Sequence, residues 1–236
     1  MDPMHTGTNC YNRAMIRNFR DIKAVLFDLD GTLIDSIDHI VDCWQYAMRA
    51  CLGREVTRED VLPSVGRTLV DAFEAIAPGR SEELLVAYRV RQVATHDTDV
   101  TLVPGTLETL EALRAAGLKV GMVTSKGIAV AGRGLDLFGL RPYFDVLVTF
   151  EDSTRHKPHP DPLFVACERL GIKPAESVYV GDARWDIEAA RAAGMRSVGV
   201  TWGAGTEEEI AAAAPDWTVN SMSEIGALVA STAVGT

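Results

Sequence analysis

Four aspartates in this sequence have types and spacings suited to chemistry on an anionic substrate. Asp28 and Asp30 follow one short apolar run, and Asp182 and Asp186 follow another. Two carboxylates separated by one residue permit a division of labour, in which Asp28 attacks as a nucleophile and Asp30 donates and later accepts a proton. Carboxylates gathered without Cys or His ligands favour a hard cation, and Mg²⁺ is the usual choice beside phosphate. The sequence therefore indicates a magnesium site with a nucleophile.

Hydroxyl and ammonium groups accompany these carboxylates. Thr124, Ser125 and Lys126 follow a third apolar run, and Lys157 lies beyond a fourth. A lysine near the carboxylates can stabilise developing negative charge as a point charge. Each residue also has a purely structural explanation, such as an Asx turn, a helix cap or an exposed loop. Because four separate chain segments supply complementary groups, we favour the functional interpretation.

The elements that must position these groups alternate between strands and helices. Continuous apolar runs rich in Val and Ile predict strands buried on both faces, as in a parallel sheet. Helical patterns lie between them, and a glycine directly follows four of these helices. The predicted strands are residues 24–27, 120–123, 146–148, 178–180 and 198–200, and the helices are 106–116, 128–138, 160–170 and 184–193. This order predicts an α/β fold with a doubly wound parallel sheet, whose ligand site lies at the carboxyl ends of the strands.

One long segment carries helical patterns and no convincing strand. Apolar residues from Ile37 to Leu52 recur at helical spacing, with Ser36 as a plausible N-cap. Further helices are expected at residues 58–62, 68–77 and 81–96. We therefore expect a helical cap domain at 36–101, inserted in a core domain made of 21–35 and 102–236, after a disordered lead-in at 1–20.

The composition excludes several classes of protein. The 236 residues include 33 acidic and 23 basic side chains, giving a net charge of −10. This charge argues against nucleic-acid or anionic-membrane partners. No apolar run reaches the ~18 residues of a membrane span, and no signal peptide is evident, so we expect a cytoplasmic protein. Four scattered cysteines without a CxxC pair, at positions 10, 43, 51 and 167, do not form a disulfide scaffold or a zinc site, and Cys43, Cys51 and Cys167 are expected to be small core residues.

Four ordered motifs resemble those of the haloacid dehalogenase superfamily. They are Asp28-Leu29-Asp30-Gly31-Thr32, Val123-Thr124, Lys157-Pro158 and Gly181-Asp182-Ala183-Arg184-Trp185-Asp186. The likeness is greatest to phosphoglycolate phosphatases and related pyrophosphatases with a helical cap. It implies an aspartyl-phosphate on Asp28 and acid–base catalysis by Asp30. It also implies Mg²⁺ bound by Asp28, the Asp30 carbonyl and Asp182, with Asp186 acting through water, and phosphoryl binding by Thr124 and Lys157, with Ser125 assisting.

Several functions remain open at this stage. The resemblance favours a Mg²⁺-dependent phosphatase acting on a small phosphorylated metabolite such as phosphoglycolate. A pyrophosphatase, a sugar-phosphate mutase or a non-catalytic binding protein on the same scaffold are alternatives. Arg67 in the cap either meets a second anionic group on the substrate or is an exposed turn residue. A homodimer is possible because the cap helices carry apolar residues.

Overall fold

A six-stranded parallel sheet forms the centre of the protein. The structure is a computed structural model that describes residues 21–233, with side chains to residue 228; the expected lead-in at 1–20 lies outside this range. The strands are β1 (Ala24–Phe27), β2 (Ile34–Asp35), β3 (Thr101–Leu102), β4 (Lys119–Val123), β5 (Val146–Val148), β6 (Ser177–Gly181), β7 (Arg196–Val200) and β8 (Trp217–Val219). The sheet order is β5-β4-β1-β6-β7-β8, and every adjacent pair is parallel.

The described residues also form ten α-helices. They are α1 (Ile37–Leu52), α2 (Arg58–Val61), α3 (Leu69–Ile76), α4 (Ser81–Asp99), α5 (Thr106–Ala115), α6 (Ile128–Leu137), α7 (Asp161–Leu170), α8 (Arg184–Ala193), α9 (Glu207–Ala213) and α10 (Met222–Ala233). Gly171 and Gly194 end α7 and α8 in the left-handed conformation, with φ of 66° and 67°. Each thereby supplies the positive φ that ends a helix without steric cost.

Both faces of the sheet are buried, which confirms the predicted doubly wound α/β fold. On one face, Val25 and Phe27 of β1 belong to a buried apolar cluster that also takes in residues of α5, α6 and α10. On the other face, Ala24 and Leu26 belong to a second cluster with residues of α7 and α8. Because successive side chains of a strand point to opposite faces, the apolar run of β1 serves both clusters.

The helices α1 to α4 have an apolar core of their own. We call the segment from residue 36 to residue 101 the cap. Trp44, Phe73 and Tyr88 pack at its centre, with ring centroids 4.0 Å apart for the first pair and 6.0 Å for the second. The two ends of the cap meet in a feature that the sequence did not predict: β2 and β3 pair as an antiparallel ribbon, with Ile34 opposite Leu102.

The helices and the cysteines of the described residues bear on the expectations from composition. Among residues 21–233, none of the helices has the length and apolar character needed to cross a bilayer. Cys43 and Cys167 are buried free thiols, and Cys51 is a half-buried free thiol. These three agree with the expectation of core cysteines, whereas Cys10 lies outside the described residues.

The aromatic cluster of the cap makes a stability prediction. Phe73 is fully buried between Trp44 and Tyr88, so Phe73→Ala should lower the free energy of unfolding by about 3–5 kcal/mol through lost burial and a cavity. Urea denaturation followed by circular dichroism measures this loss. Val86→Ala is the matched control, because Val86 is 61% exposed and its truncation should change stability by less than about 0.5 kcal/mol. Equal losses in the two variants would contradict the packing described.

Candidate active site

Asp28 lies at the carboxyl end of the central strand β1. Its backbone N–H donates to the Val180 carbonyl at 2.9 Å, which extends the pairing of β1 and β6 by one residue. The side chain is buried, and its Oδ1 lies 3.0 Å from the Lys157 ammonium nitrogen but accepts no well-directed hydrogen bond from the described residues. Burial raises the pKa of Asp28 to about 7; Lys157 acts against this rise, while the charge of Asp186 adds to it.

Lys157 is held in place by buried oxygens. Its ammonium group donates to Asp186 Oδ1 at 2.7 Å and to the Tyr179 hydroxyl at 3.2 Å. Tyr179 in turn donates to the Val123 carbonyl at 2.8 Å. Burial disfavours the charged lysine, but the carboxylates of Asp186 and Asp28 outweigh this effect and raise the pKa of Lys157 well above its usual value. The side chain therefore stays a fixed cation beside Asp28.

Asp182 follows β6 and is also fully buried. Its Oδ2 accepts from the Ala204 N–H at 2.7 Å, and its Oδ1 accepts from the Thr32 hydroxyl at 3.3 Å. Burial raises the pKa of Asp182 well above its usual value, and repulsion from the carboxylates of Asp186 and Asp28 raises it further. Gly31 packs directly on this carboxylate at a φ of 73°, so a side chain there would both strain the backbone and overlap Asp182.

The three buried carboxylates form a candidate cation site. One oxygen from each of Asp28, Asp182 and Asp186 lies within 4.8 Å of the others. Lys157 is the cation that contacts two of them, so three negative charges face one positive charge. A divalent ion would cancel the remaining two charges, and an oxygen-only donor set suits a hard ion such as Mg²⁺. The residues therefore fit the predicted metal, and a carboxylate oxygen of Asp28 is one of the three candidate ligand atoms.

Asp30 occupies a different environment from Asp28. Lys126 donates to its Oδ1 at 2.6 Å, and the Ser36 hydroxyl donates to the same oxygen at 2.6 Å. Burial alone would favour the neutral acid, but Lys126 and Ser36 hold the pKa of Asp30 below its usual value. Ser36 is the N-cap residue of α1, as predicted, but its hydroxyl donates to Asp30 and makes no cap hydrogen bond.

Lys126 is the functional residue that sequence reasoning left without a role. The residue stood in the strand-end segment with Thr124 and Ser125, but only its partner in the structure explains its presence. The signal that could have identified it is position, because a lysine three residues beyond β4 must lie near the end of neighbouring β1. The structure thus pairs each of the two aspartates with its own lysine: Asp28 with Lys157 and Asp30 with Lys126.

The two predicted hydroxyl residues are placed differently. Thr124 is buried at the end of β4, and its Oγ1 accepts from the Lys126 N–H at 3.2 Å. Ser125 donates its hydroxyl hydrogen to the Gly66 carbonyl of the cap at 2.8 Å. Both residues line the same cavity as Asp28. In this structure Ser125 serves as a contact between core and cap.

A second contact between core and cap involves Arg67. Its guanidinium carbon lies 5.3 Å from the centre of the Trp185 ring, and that of Arg184 lies 4.0 Å from the same ring. Such cation–π contacts are favourable by about 0.5–1 kcal/mol at exposed sites. Arg67 also lines the cavity and is half-buried, so it is more than an exposed turn residue. Its guanidinium remains available to an anion, because Trp185 offers only a ring face.

A cavity of about 340 Å³ lies between the cap and the core. Its floor on the core side is polar and includes Asp28, Asp30, Thr124, Ser125 and Lys126. Its roof comes from the cap helices α1, α3 and α4 and is mostly apolar. A cavity whose floor holds Asp28, Asp30 and Lys126, with Lys157 in contact with Asp28, has the groups needed to transfer a phosphoryl group.

Comparisons with known proteins identify the family. The family model of haloacid dehalogenase-like hydrolases matches residues 25–200, and the chain belongs to this family. The chain is 38% identical over 212 residues to the pyrophosphatase PpaX of Bacillus pumilus, covering 90% of this chain and 98% of that protein. The motifs that produced the resemblance lie within the matched residues, and the resemblance is confirmed.

Solved structures with the same fold carry phosphatase descriptions. A predicted phosphatase from Clostridium acetobutylicum has a TM-score of 0.81 and 28% identity, covering 89% of this chain and 98% of that chain. A predicted phosphoglycolate phosphatase from Haemophilus somnus has a TM-score of 0.77 and 27% identity, covering 87% and 96%. The chain is therefore an enzyme, a hydrolase of the phosphatase type.

The Ser125 contact makes a testable prediction. Ser125→Ala removes the hydrogen bond to the Gly66 carbonyl, which contributes about 1 kcal/mol to the closed arrangement of cap and core. Hydrogen–deuterium exchange of residues 64–68 should therefore become about fivefold faster. Ser153→Ala is the control, because the buried Ser153 hydroxyl has no hydrogen-bond partner among the described residues. Unchanged exchange in the Ser125 variant would show that this contact does not hold the cap.

Proposed function

We propose that the protein is a Mg²⁺-dependent phosphatase that hydrolyses a small phosphorylated metabolite through an aspartyl-phosphate on Asp28. The observation that carries this proposal is the state of the Asp28 carboxylate. It is buried, lines the cavity, lies beside the Lys157 ammonium and keeps one oxygen without a hydrogen bond. A buried carboxylate that lines a cavity and is held beside a fixed lysine is suited to nucleophilic attack.

The binding groups of the proposal follow from the site. Asp28, the Asp30 carbonyl and Asp182 would hold Mg²⁺, with Asp186 supporting it. When bound, the ion neutralises charge on the carboxylates and on the phosphoryl oxygens. Lys157 and Thr124 would bind the transferring phosphoryl group, with Ser125 assisting when it is released from Gly66. The net charge of −10 repels an anionic substrate, and these groups offset the repulsion by providing a local positive potential.

The proposed reaction has two steps. In the first, a carboxylate oxygen of Asp28 bonds to phosphorus, the bond from phosphorus to the leaving oxygen breaks, and Asp30 gives its proton to that oxygen. In the second, Asp30 accepts a proton from water, the water oxygen bonds to phosphorus, and the bond to Asp28 breaks. Phosphate and the free carboxylate of Asp28 result. Positioning and charge neutralisation supply most of the rate enhancement in such a reaction.

The contact of Asp30 with Lys126 gives the order of proton transfers a physical basis. The ion pair keeps Asp30 as a carboxylate, which is the form that accepts a proton from water. For the first step Asp30 must carry a proton, so Lys126 has to leave it. An incoming phosphoryl anion attracts the lysine and thereby competes with Asp30 for its charge. We therefore propose that Lys126 contacts the phosphoryl group when substrate is bound and no longer pairs with Asp30.

Pyrophosphate is a second candidate substrate. The support for it is the name of the relatives, because the Bacillus pumilus protein at 38% identity is called a pyrophosphatase. In both candidate reactions Asp28 attacks the phosphorus atom of the phosphoryl group that is transferred. They differ in the group that leaves towards the cap, and so the roof of the cavity distinguishes them. The proposed partner is in both cases a small molecule, and the homodimer stays a prediction.

Asp28→Asn tests the nucleophile. An amide in the same position cannot form the covalent intermediate, so kcat for phosphate release from p-nitrophenyl phosphate should fall at least about 10³-fold. Asp35→Asn is the matched control, because Asp35 is an exposed aspartate in the same chain segment. Both variants should keep the circular dichroism spectrum and melting temperature of a folded protein. Turnover near the wild-type rate in purified Asp28→Asn would contradict the mechanism.

Asp182→Asn tests the cation site through thermal stability. In EDTA at pH 8 the variant should melt at a higher temperature than the wild type, because one of three mutually repelling carboxylates is gone. Mg²⁺ at a hundred times its dissociation constant should stabilise the wild type by about 2.7 kcal/mol, or roughly 5–10 °C. The same concentration should leave the variant unchanged.

Asp35→Asn again serves as the control for the cation site and should respond to Mg²⁺ like the wild type. A full Mg²⁺ shift in Asp182→Asn would place the ion elsewhere in the protein. Differential scanning fluorimetry at several Mg²⁺ concentrations measures these shifts without reference to catalysis.

A further inference from the structure

The roof of the cavity has a chemistry that the phosphoryl site does not require. Three cap helices supply its apolar side chains: Ile40 and Trp44 from α1, Leu69 and Val70 from α3, and Leu85 and Val93 from α4. Packing within the cap supports the roof, because the Trp44 ring contacts the buried Phe73 ring, with the ring centroids 4.0 Å apart. The leaving group of a substrate attacked by Asp28 points towards this surface.

One buried polar side chain also faces the cavity. Gln92 of α4 is 3% exposed and lines the roof. A buried amide without a partner costs free energy unless a ligand or water supplies the hydrogen bond. The cations of the cap lining are Arg67, which is half-buried beside Trp185, and Arg89, which is exposed. The roof therefore offers a few polar groups within a mostly apolar wall.

We propose that the natural substrate is a phosphomonoester whose alcohol carries an apolar body of about the size of an aromatic ring. This inference rests on the proposed phosphatase function and narrows its substrate class. A second phosphoryl group, as in pyrophosphate, could pair with Arg67 or Arg89 of the cap lining but would leave the apolar surface of Trp44, Leu69 and Leu85 without a partner. The cavity of about 340 Å³ is in the range of sites that enclose larger ligands than pyrophosphate.

A pair of substrates with the same reacting group tests the inference. Ethyl phosphate and 2-phenylethyl phosphate are both esters of primary alcohols, and they differ by one ring. Burying about 100 Å² of ring surface predicts about a seventyfold higher kcat/KM for 2-phenylethyl phosphate. Pyrophosphate, assayed in the same way with Mg²⁺ present, should fall below 2-phenylethyl phosphate.

Two valines on one helix provide matched variants. Val90 and Val93 are each 58% exposed on α4, but of the two only Val93 lines the cavity. Val93→Asp places a carboxylate on the apolar wall, so the ratio of kcat/KM for 2-phenylethyl phosphate over ethyl phosphate should fall at least tenfold. The ratio removes any general repulsion of phosphate by the new charge. Val90→Asp should leave the ratio unchanged.

The outcomes separate this inference from the function on which it rests. A wild-type ratio near one, equal effects of the two aspartate variants, or pyrophosphate as the best of the three substrates would overturn the apolar substrate class. In each of these cases hydrolysis that is lost in Asp28→Asn still supports the phosphatase. Hydrolysis of none of the three substrates, or hydrolysis that survives in Asp28→Asn, would instead refute the proposed function itself.

Discussion

The burial of three carboxylates around one lysine is the constraint on which the rest of the site depends. Asp28, Asp182 and Asp186 are all withdrawn from water, and Lys157 alone lies among them as a compensating charge. Desolvation of like charges at this separation is unfavourable, and the raised pKa of Asp28 and of Asp182 reflects that cost. Packing of the surrounding core maintains the arrangement. A site that is unfavourable without a divalent ion is well prepared to bind one.

The core and the cap contribute different kinds of chemistry to one cavity. The core supplies charged groups at the ends of parallel strands, where backbone pairing fixes each position to its neighbour. The cap supplies apolar surface from helices that have their own aromatic centre. Contacts that join these halves include the Ser125 hydrogen bond to Gly66, the cation–π contact of Arg67 with Trp185 and the hydrogen bonds of Arg133 to Val93 and Asp97. The lining of the cavity thus comes from both parts of the chain.

The sequence predicted the elements that show a strong hydrophobic periodicity. It did not predict the β2–β3 ribbon, which is defined by the pairing of two very short strands. The apolar stripe from Ile37 to Leu52 marks α1 to the residue, because burial on one side imposes a regular spacing. The ribbon of β2 and β3 has only two residues in each strand, too few for any pattern to show. The same limit applies to the site. Strand ends brought Asp28 and Asp182 together in the prediction, whereas the partner of Lys126 depends on a side-chain conformation.

The ribbon that joins the cap to the core has a consequence for how such proteins diversify. Asp35 and Thr101 are 66 positions apart in the chain, yet they are paired neighbours in space. An insert whose two ends already meet can be exchanged for another without stretching the scaffold beneath it. Proteins that share this core can therefore acquire a different cap by insertion at this one position, while the residues of the core stay unchanged.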